Sequence, residues 1–237
     1  MIISALRNFA SITDEAIKWA EEGIWRFEDN PAERLMLFTA DLYRWAGRKE
    51  DAEKLLWQTF DRTPSIELYG QLKETGGSGK ATVGTARDRA IALLQAKLDK
   101  PGAKARWSLP QNLLVEILMS EKLFVKAWDV VRSHKCSEDQ LLALAEASEQ
   151  DHPHEALSVY ADRAEQLARF GGRENYETAS RLITRMQTIR NRLGANADHA
   201  AFLADFVSRH KAKRNLMKIL QPDKADGSRR HAGSATA

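Results

Sequence analysis

Apolar residues recur at spacings of three and four along most of the chain. Leu113, Ile117 and Leu118 show this spacing in one segment. The next segment repeats it with Val125, Trp128 and Val131. The period is typical of helices with one buried side, and we find no convincing period-two alternation of a strand. The sequence therefore predicts an all-α fold.

Glycine, proline and capping residues divide the apolar segments. Residues near 74–84 include the run GGSG and predict a flexible loop, followed by a helix from about Thr85 to Leu98. A second break is predicted near 100–108. Three polar residues, each followed by acids within the first turn, predict helix starts at Thr13, Ser65 and Ser137.

A helix-pair repeat is visible in the same pattern. Residues 33–66 fit the 34-residue tetratricopeptide (TPR) frame. In that register the small, aromatic and turn positions are occupied by Ala40, Tyr43, Gly47, Ala52 and Pro64. The frame departs from its usual residues at Met36 and Thr59. Small residues such as Ala40 and Ala52 matter in this frame, because two antiparallel helices approach closely only where one carries a small side chain.

The frame recurs more loosely elsewhere, and an earlier half-unit carries Ala16 and Ala20. One recurrence contains Leu118, Lys122, Ala127 and Val131. Another contains Leu144, Asp151, Ala156 and Tyr160. These recurrences predict a TPR-like α-α superhelix, an irregular α-solenoid of about five antiparallel helix pairs over residues 1–221. An ordinary helical bundle is the alternative, and residues 222–237 predict a disordered tail.

Several phrases of the sequence together point to a known family. They are AEEGI at 20–24, GRKEDA at 47–52, RTPSIELY at 62–69, HPHEAL at 152–157 and RHKAKRNLM at 209–217. They resemble the C-terminal TPR-like repeat region of bacterial SWIM-type zinc finger proteins. The finger itself needs three cysteines and a histidine, whereas Cys136 is the single cysteine here. The resemblance therefore implies a protein-interaction scaffold without the finger.

The TPR register also predicts a partner-binding groove. It directs a set of helix positions toward the concave face, where such arrays hold peptides or partner helices. The predicted groove residues are Arg34, Leu37, Asp41, Arg44 and Trp45. The competing interpretation is that these side chains are merely solvated or packed. Of the six tryptophans, most are expected to be core wedges between helices, with Trp45 as the exception.

The net charge of +3 conceals an uneven distribution. Residues 205–237 hold eight Lys and Arg against three acids, whereas the rest of the chain is slightly acidic. The candidate patch on this basic end is Arg209, Lys211, Lys213 and Arg214. An apolar face of one last helix is expected beneath it, formed by Phe202, Phe206, Leu216, Ile219 and Leu220. Three interpretations stay open: a capping helix, a dock for an acidic partner, and a contact with nucleic-acid backbone.

Candidate chemistry is sparse. The run around Lys80 lacks the first glycine and the hydroxyl residue of a phosphate-binding loop, and a linker explains it better. A metal site at His134, Cys136, His152 and His154 is a weak alternative to a capped helix start and a buried cysteine. Paired carboxylates such as Glu50-Asp51 are expected to be solvated. We therefore expect no catalytic residues, no metal and no cofactor, and a chain that is not an enzyme.

The chain begins without a signal-peptide pattern and contains no apolar run long enough for a membrane span. These features predict a cytoplasmic protein. The leading hypothesis is a non-catalytic scaffold for protein–protein interaction, with an unknown protein partner and no membrane. The alternative is a nucleic-acid-binding accessory protein that uses the basic C-terminal helix.

Overall fold

The structure, a computed structural model, describes residues 2–27, 32–75, 80–99 and 110–220. That part of the chain contains helices and no strand, which confirms the all-α prediction. In order the helices are α1 (Ile2–Arg26), α2 (Glu33–Trp45), α3 (Lys49–Arg62), α4 (Ile66–Thr75), α5 (Lys80–Leu98), α6 (Pro110–Ser120), α7 (Phe124–Ser133), α8 (Glu138–Ser148), α9 (Pro153–Phe170), α10 (Arg173–Arg192), α11 (Asn196–His210) and α12 (Arg214–Leu220).

The chain divides into two compact units, Met1–Cys136 and Ser137–Ala237. The division falls between α7 and α8, at neither of the two predicted breaks. The loop predicted near 74–84 is too long, because α4 continues to Thr75 and α5 begins at Lys80 rather than near Thr85. Residues 76–79, the second break and the predicted tail lie outside the described residues.

In the first unit, each helix from α1 to α6 packs against the next one along the chain, which ends the series at α7. Helix α4 also contacts α6 directly, and Arg44 of α2 lies 3.9 Å from the carboxylate of Glu74 at the end of α4. Ala40, Ala52 and Ala127, which the repeat register marks as small, are completely buried. Small side chains therefore stand where these helices meet.

Two helix pairs of this unit are joined by the same kind of turn. After α2, the amide of Gly47 donates to the carbonyl of Arg44, and the amide of Arg48 donates to that of Tyr43. These two bonds define a Schellman motif, which needs a left-handed residue, and Gly47 has a φ of 77°. After α6 the same two bonds form around Lys122, whose φ is 56°. The register that aligned Lys122 with Gly47 thus aligns two turns of matching geometry.

In the second unit, α8 packs on α9, α9 on α10, and α10 on both α11 and α12. Ala156 and Tyr160 are completely buried in α9. The single last helix predicted from the sequence is wrong, because α11 ends at His210 and α12 begins at Arg214. Phe206 and Leu216, expected on one apolar face, are both buried but belong to different helices.

Local predictions succeed where a hydroxyl caps a helix. The Ser65 and Ser137 side chains accept hydrogen bonds from the amides of Leu68 and Gln140, at 3.2 and 3.3 Å. The helix start at Thr13 is wrong, since α1 is already helical from Ile2.

The predicted buried face of α7 is also displaced. Val125 is 63% exposed, and the residues that α7 buries are Ala127, Trp128 and Val130.

A buried tyrosine bonded to a glutamate occurs three times. Each hydroxyl donates to a carboxylate on another helix or at a helix end, and a cationic side chain lies over the tyrosine ring. The three Tyr–Glu–cation triads are Tyr43–Glu21–Arg48, Tyr69–Glu121–Lys73 and Tyr160–Glu149–Arg185. In the first unit, the Tyr43 triad links α1 with α2, and the Tyr69 triad links α4 with the end of α6. In the second unit, the Tyr160 triad links the end of α8 with α9 and α10.

Candidate functional site

The groove residues predicted from the sequence all lie on α2, on the side opposite its buried residues. Helix α2 buries Met36, Ala40 and Tyr43, among others, against its neighbours. On the other side, Arg34 and Trp45 are exposed, and Trp45 leaves 67% of its surface accessible. The remaining predicted residues, Leu37, Asp41 and Arg44, are half-buried.

Arg44 is held in place rather than free. Its guanidinium forms an ion pair with Asp41 one turn earlier and lies 3.9 Å from the carboxylate of Glu74. Since Glu74 belongs to α4, this side chain links the groove side of α2 to the next helix but one. The two acids compensate much of its charge, so a partner meets Arg44 as an oriented polar group.

Phe38 is a surface residue that the sequence argument missed. It is 49% exposed and precedes Trp45 by two helical turns, on the same side of α2. Helical spacing could have identified it, but the TPR register assigns the groove to other positions. We call Arg34, Phe38, Asp41 and Trp45 the α2 face. It presents two accessible aromatic rings, one near the arginine and one beyond the aspartate.

The opposite side of α2 is fastened by the Tyr43 triad. The Tyr43 hydroxyl donates to Glu21 Oε1 of α1 at 2.7 Å, and the Arg48 guanidinium stacks 4.4 Å from the ring centre. Burial, together with the hydrogen bond to Glu21, raises the pKa of Tyr43 to about 12. The hydroxyl therefore stays protonated and keeps donating at neutral pH, which holds α2 firmly behind its exposed face.

The prediction that most tryptophans are core wedges is wrong for the described residues. Trp57 and Trp128 are buried, whereas Trp19, Trp25 and Trp45 are each about two-thirds exposed or more. Trp107 lies outside the described residues. Trp19 and Trp25 belong to α1, so the exposed tryptophans in the described part of the chain lie on the first two helices.

The basic C-terminal patch is divided by the structure. Arg209 pairs with Glu165 at 2.6 Å and with Asp205 at 2.9 Å, so its charge is compensated. Lys213 donates to the carbonyl of Arg169, at 3.2 Å. Lys211 and Arg214 are exposed and form no ion pair among the residues that the structure describes.

Glu165 is the shared acceptor for three side chains near the C-terminus, those of Arg169, Arg209 and His210. Burial opposes its ionisation, but the hydrogen bond from His210 and the neighbouring arginines outweigh that effect and lower its pKa. His210 is itself buried, and its ring packs at a tilt of 51° against that of Phe206, with 4.8 Å between the ring centres. These contacts link α11 to α9, and they include Arg209, which the sequence placed in the basic patch.

The residues considered for chemistry do not assemble within the described part of the chain. Cys136 is buried, and burial raises the pKa of its thiol, which disfavours the reactive thiolate. No group of three or more His, Cys, Asp or Glu side chains is arranged to hold a metal ion there. No described helix is both long and apolar enough to cross a membrane. Compared with known proteins, the chain matches neither a family model nor a curated sequence.

Proposed function

We propose that the chain is a non-catalytic protein–protein interaction scaffold built from TPR-like helical repeats. The α2 face is its binding surface, and a peptide or helix of the partner protein is what it holds. The observation that carries the proposal is the pair of accessible rings, Phe38 and Trp45, on a helix whose other side is anchored. Exposed aromatic residues beside an arginine are typical of the centre of protein interfaces.

The TPR-like interpretation has its own support. In the first unit α3 connects α2 with α4, and α5 connects α4 with α6. Helices α4 and α6 contact each other, and Arg44 of α2 lies 3.9 Å from the carboxylate of Glu74 in α4. The matching turns at Gly47 and Lys122 are what a repeated helix pair would produce. The resemblance to the repeat region of SWIM-type proteins points the same way, and the relationship to that family is part of the proposal.

A peptide-display selection tests the binding surface. Peptides selected on the unmodified protein should lose at least tenfold in affinity for a Phe38→Ala/Trp45→Ala variant, because both anchoring rings are gone. The matched control is Phe170→Ala, which removes a ring that is 79% exposed in the second unit and should leave affinity unchanged. Selected peptides that bind the double variant as well as the unmodified protein would refute the α2 face as the binding surface.

Nucleic-acid binding is the second candidate, and the exposed cations Lys211, Arg214 and Lys218 favour it. The compensated Arg209 is no longer part of that proposal. Binding of a DNA or RNA duplex should weaken steeply with salt and disappear when the three cations are replaced by glutamine. Binding that is absent or insensitive to salt would exclude it.

A further inference from the structure

A second surface of the first unit, on helices other than α2, has the features of a side-chain binding site. A cavity of about 520 Å³ opens between α3 and α5. Its lining includes Glu50, Glu53, Lys54, Trp57 and Asp61 of α3, and Arg89 of α5. The α3 residues recur at spacings of three and four, so they form one row along that helix. We call this cavity the α3/α5 groove.

The floor of the groove is an aromatic platform that already carries a guanidinium group. The Arg89 guanidinium lies 4.2 Å from the centre of the Trp57 ring. Trp57 is only 5% exposed, whereas Arg89 is an exposed side chain. Among the described residues Arg89 forms no ion pair, so stacking on the ring is the contact that holds it. A cation over a tryptophan face is the strongest form of this interaction.

The wall next to the platform carries carboxylates that lack a cationic partner. Glu53 accepts a hydrogen bond from Trp57 Nε1 at 3.2 Å, and neither Glu53 nor Glu50 forms an ion pair within the described residues. Asp61, at the far end, differs because Lys97 of α5 lies 3.0 Å away. The groove thus offers one incoming group a ring face, which Arg89 now covers, and two carboxylates that form no ion pair among the described residues.

From this arrangement we infer that the α3/α5 groove binds an arginine side chain of a basic segment in a partner protein. The incoming guanidinium takes the place of Arg89 on Trp57 and pairs with Glu50 and Glu53, contacts that Arg89 itself does not make. Guanidinium fits both requirements because it stacks on aromatic faces and binds carboxylates through two N–H groups. None of the lining residues lies on α2, so this inference goes beyond the proposed function and does not depend on it.

The test uses the full chain, labelled with ¹⁵N at tryptophan, and a blocked peptide with two arginines separated by glycine. The matched peptide carries citrulline, which has nearly the same shape and no charge. The indole N–H signal of Trp57 is assigned as the one that moves in Glu53→Gln, since Glu53 accepts its hydrogen bond. This signal should shift saturably when the arginine peptide is added and should not shift with the citrulline peptide. Equal shifts with both peptides, or a shift of Trp45 alone, would overturn the inference.

Variants of exposed and half-buried residues separate binding from folding, since glutamine at position 53 can still accept the hydrogen bond from Trp57. Glu50→Gln/Glu53→Gln should weaken arginine-peptide binding at least tenfold, while Asp14→Asn/Glu15→Gln removes the same charge from α1 and should change it less than twofold. Arg89→Ala removes the internal competitor and should tighten binding by about two- to fivefold. Weaker or unchanged binding in Arg89→Ala, or equal losses in the two acidic pairs, would refute the inference.

Discussion

Removing the hydroxyl of Tyr69 should destabilise the first unit more than removing that of Tyr43. Both hydroxyls donate to a glutamate, at 2.9 and 2.7 Å, and both variants (Tyr69→Phe and Tyr43→Phe) delete one oxygen atom from the same unit. The difference lies in the acceptors. Glu121 has 11% of its side chain exposed, whereas Glu21 has 43% exposed. Water can replace the lost donor at Glu21 much more readily than at Glu121.

The magnitudes follow from that difference. A hydrogen bond to a charged group contributes about 1.5–3 kcal/mol when the acceptor is buried. Glu121 keeps its ion pair with Lys73, so we expect Tyr69→Phe to cost about 2 kcal/mol. Solvent access at Glu21 reduces the cost of Tyr43→Phe to about 0.5–1 kcal/mol.

Urea unfolding followed by far-UV circular dichroism measures both losses. A gap of about 1 kcal/mol separates the two midpoints by roughly 0.5 M urea if the slopes stay equal. A double-mutant cycle with Glu121→Gln should show that the Tyr69 effect depends on the carboxylate. A Tyr43→Phe loss equal to or greater than the Tyr69→Phe loss would refute the argument from acceptor burial.

Three further predictions concern the turns and the second unit. Lys122→Gly should stabilise the first unit by about 1 kcal/mol, because glycine adopts the left-handed φ of this position without strain. Gly47→Ala should destabilise the unit by about the same amount for the converse reason. Thermal unfolding measures both changes, and a lower stability of Lys122→Gly would contradict the reasoning. Burial lowers the pKa of His199, and the positive charge of Arg190 lowers it further. The stability of the second unit should therefore fall as the pH drops below about 6.5, the value in the unfolded chain. The urea midpoint of His199→Gln should not show this fall. The lowered pKa of Glu165 adds stability that is present above about pH 4.3 and lost as pH falls through the folded value; the deficit of Glu165→Gln at pH 7 should therefore close in acid, and a deficit that persists would contradict it.

The sequence was informative about helices and their closest contacts because those depend on local spacing and side-chain size. The all-α fold, the buried alanines 40, 52 and 127, and the serine caps at 65 and 137 are all of this kind. The start of α1 and the break before α12 were missed, because helix ends depend on tertiary contacts as well as on local propensity.

The surfaces were harder to predict, because exposure is decided by neighbouring helices. Trp19 and Trp57 both lie in amphipathic segments, yet one is 67% exposed and the other 5%. Helical spacing alone places Glu50, Glu53 and Trp57 on one side of α3, although the sequence analysis did not single them out. That Arg89, far along the chain, lies over this row could not be read from the spacing of either helix.

The Tyr–Glu–cation triads explain how polar groups can specify helix contacts that apolar packing leaves open. Apolar side chains of similar size can exchange places at modest cost, so they discriminate weakly between neighbouring registers. A buried tyrosine hydroxyl must find an acceptor, and a half-buried glutamate must find donors. When a cation also lies over the ring, as Lys73 does over Tyr69, a shift of one helix leaves several groups unsatisfied at once. Each triad therefore penalises wrong registers as well as stabilising the correct one, and the Tyr43 triad applies this selectivity to the helix that carries the α2 face.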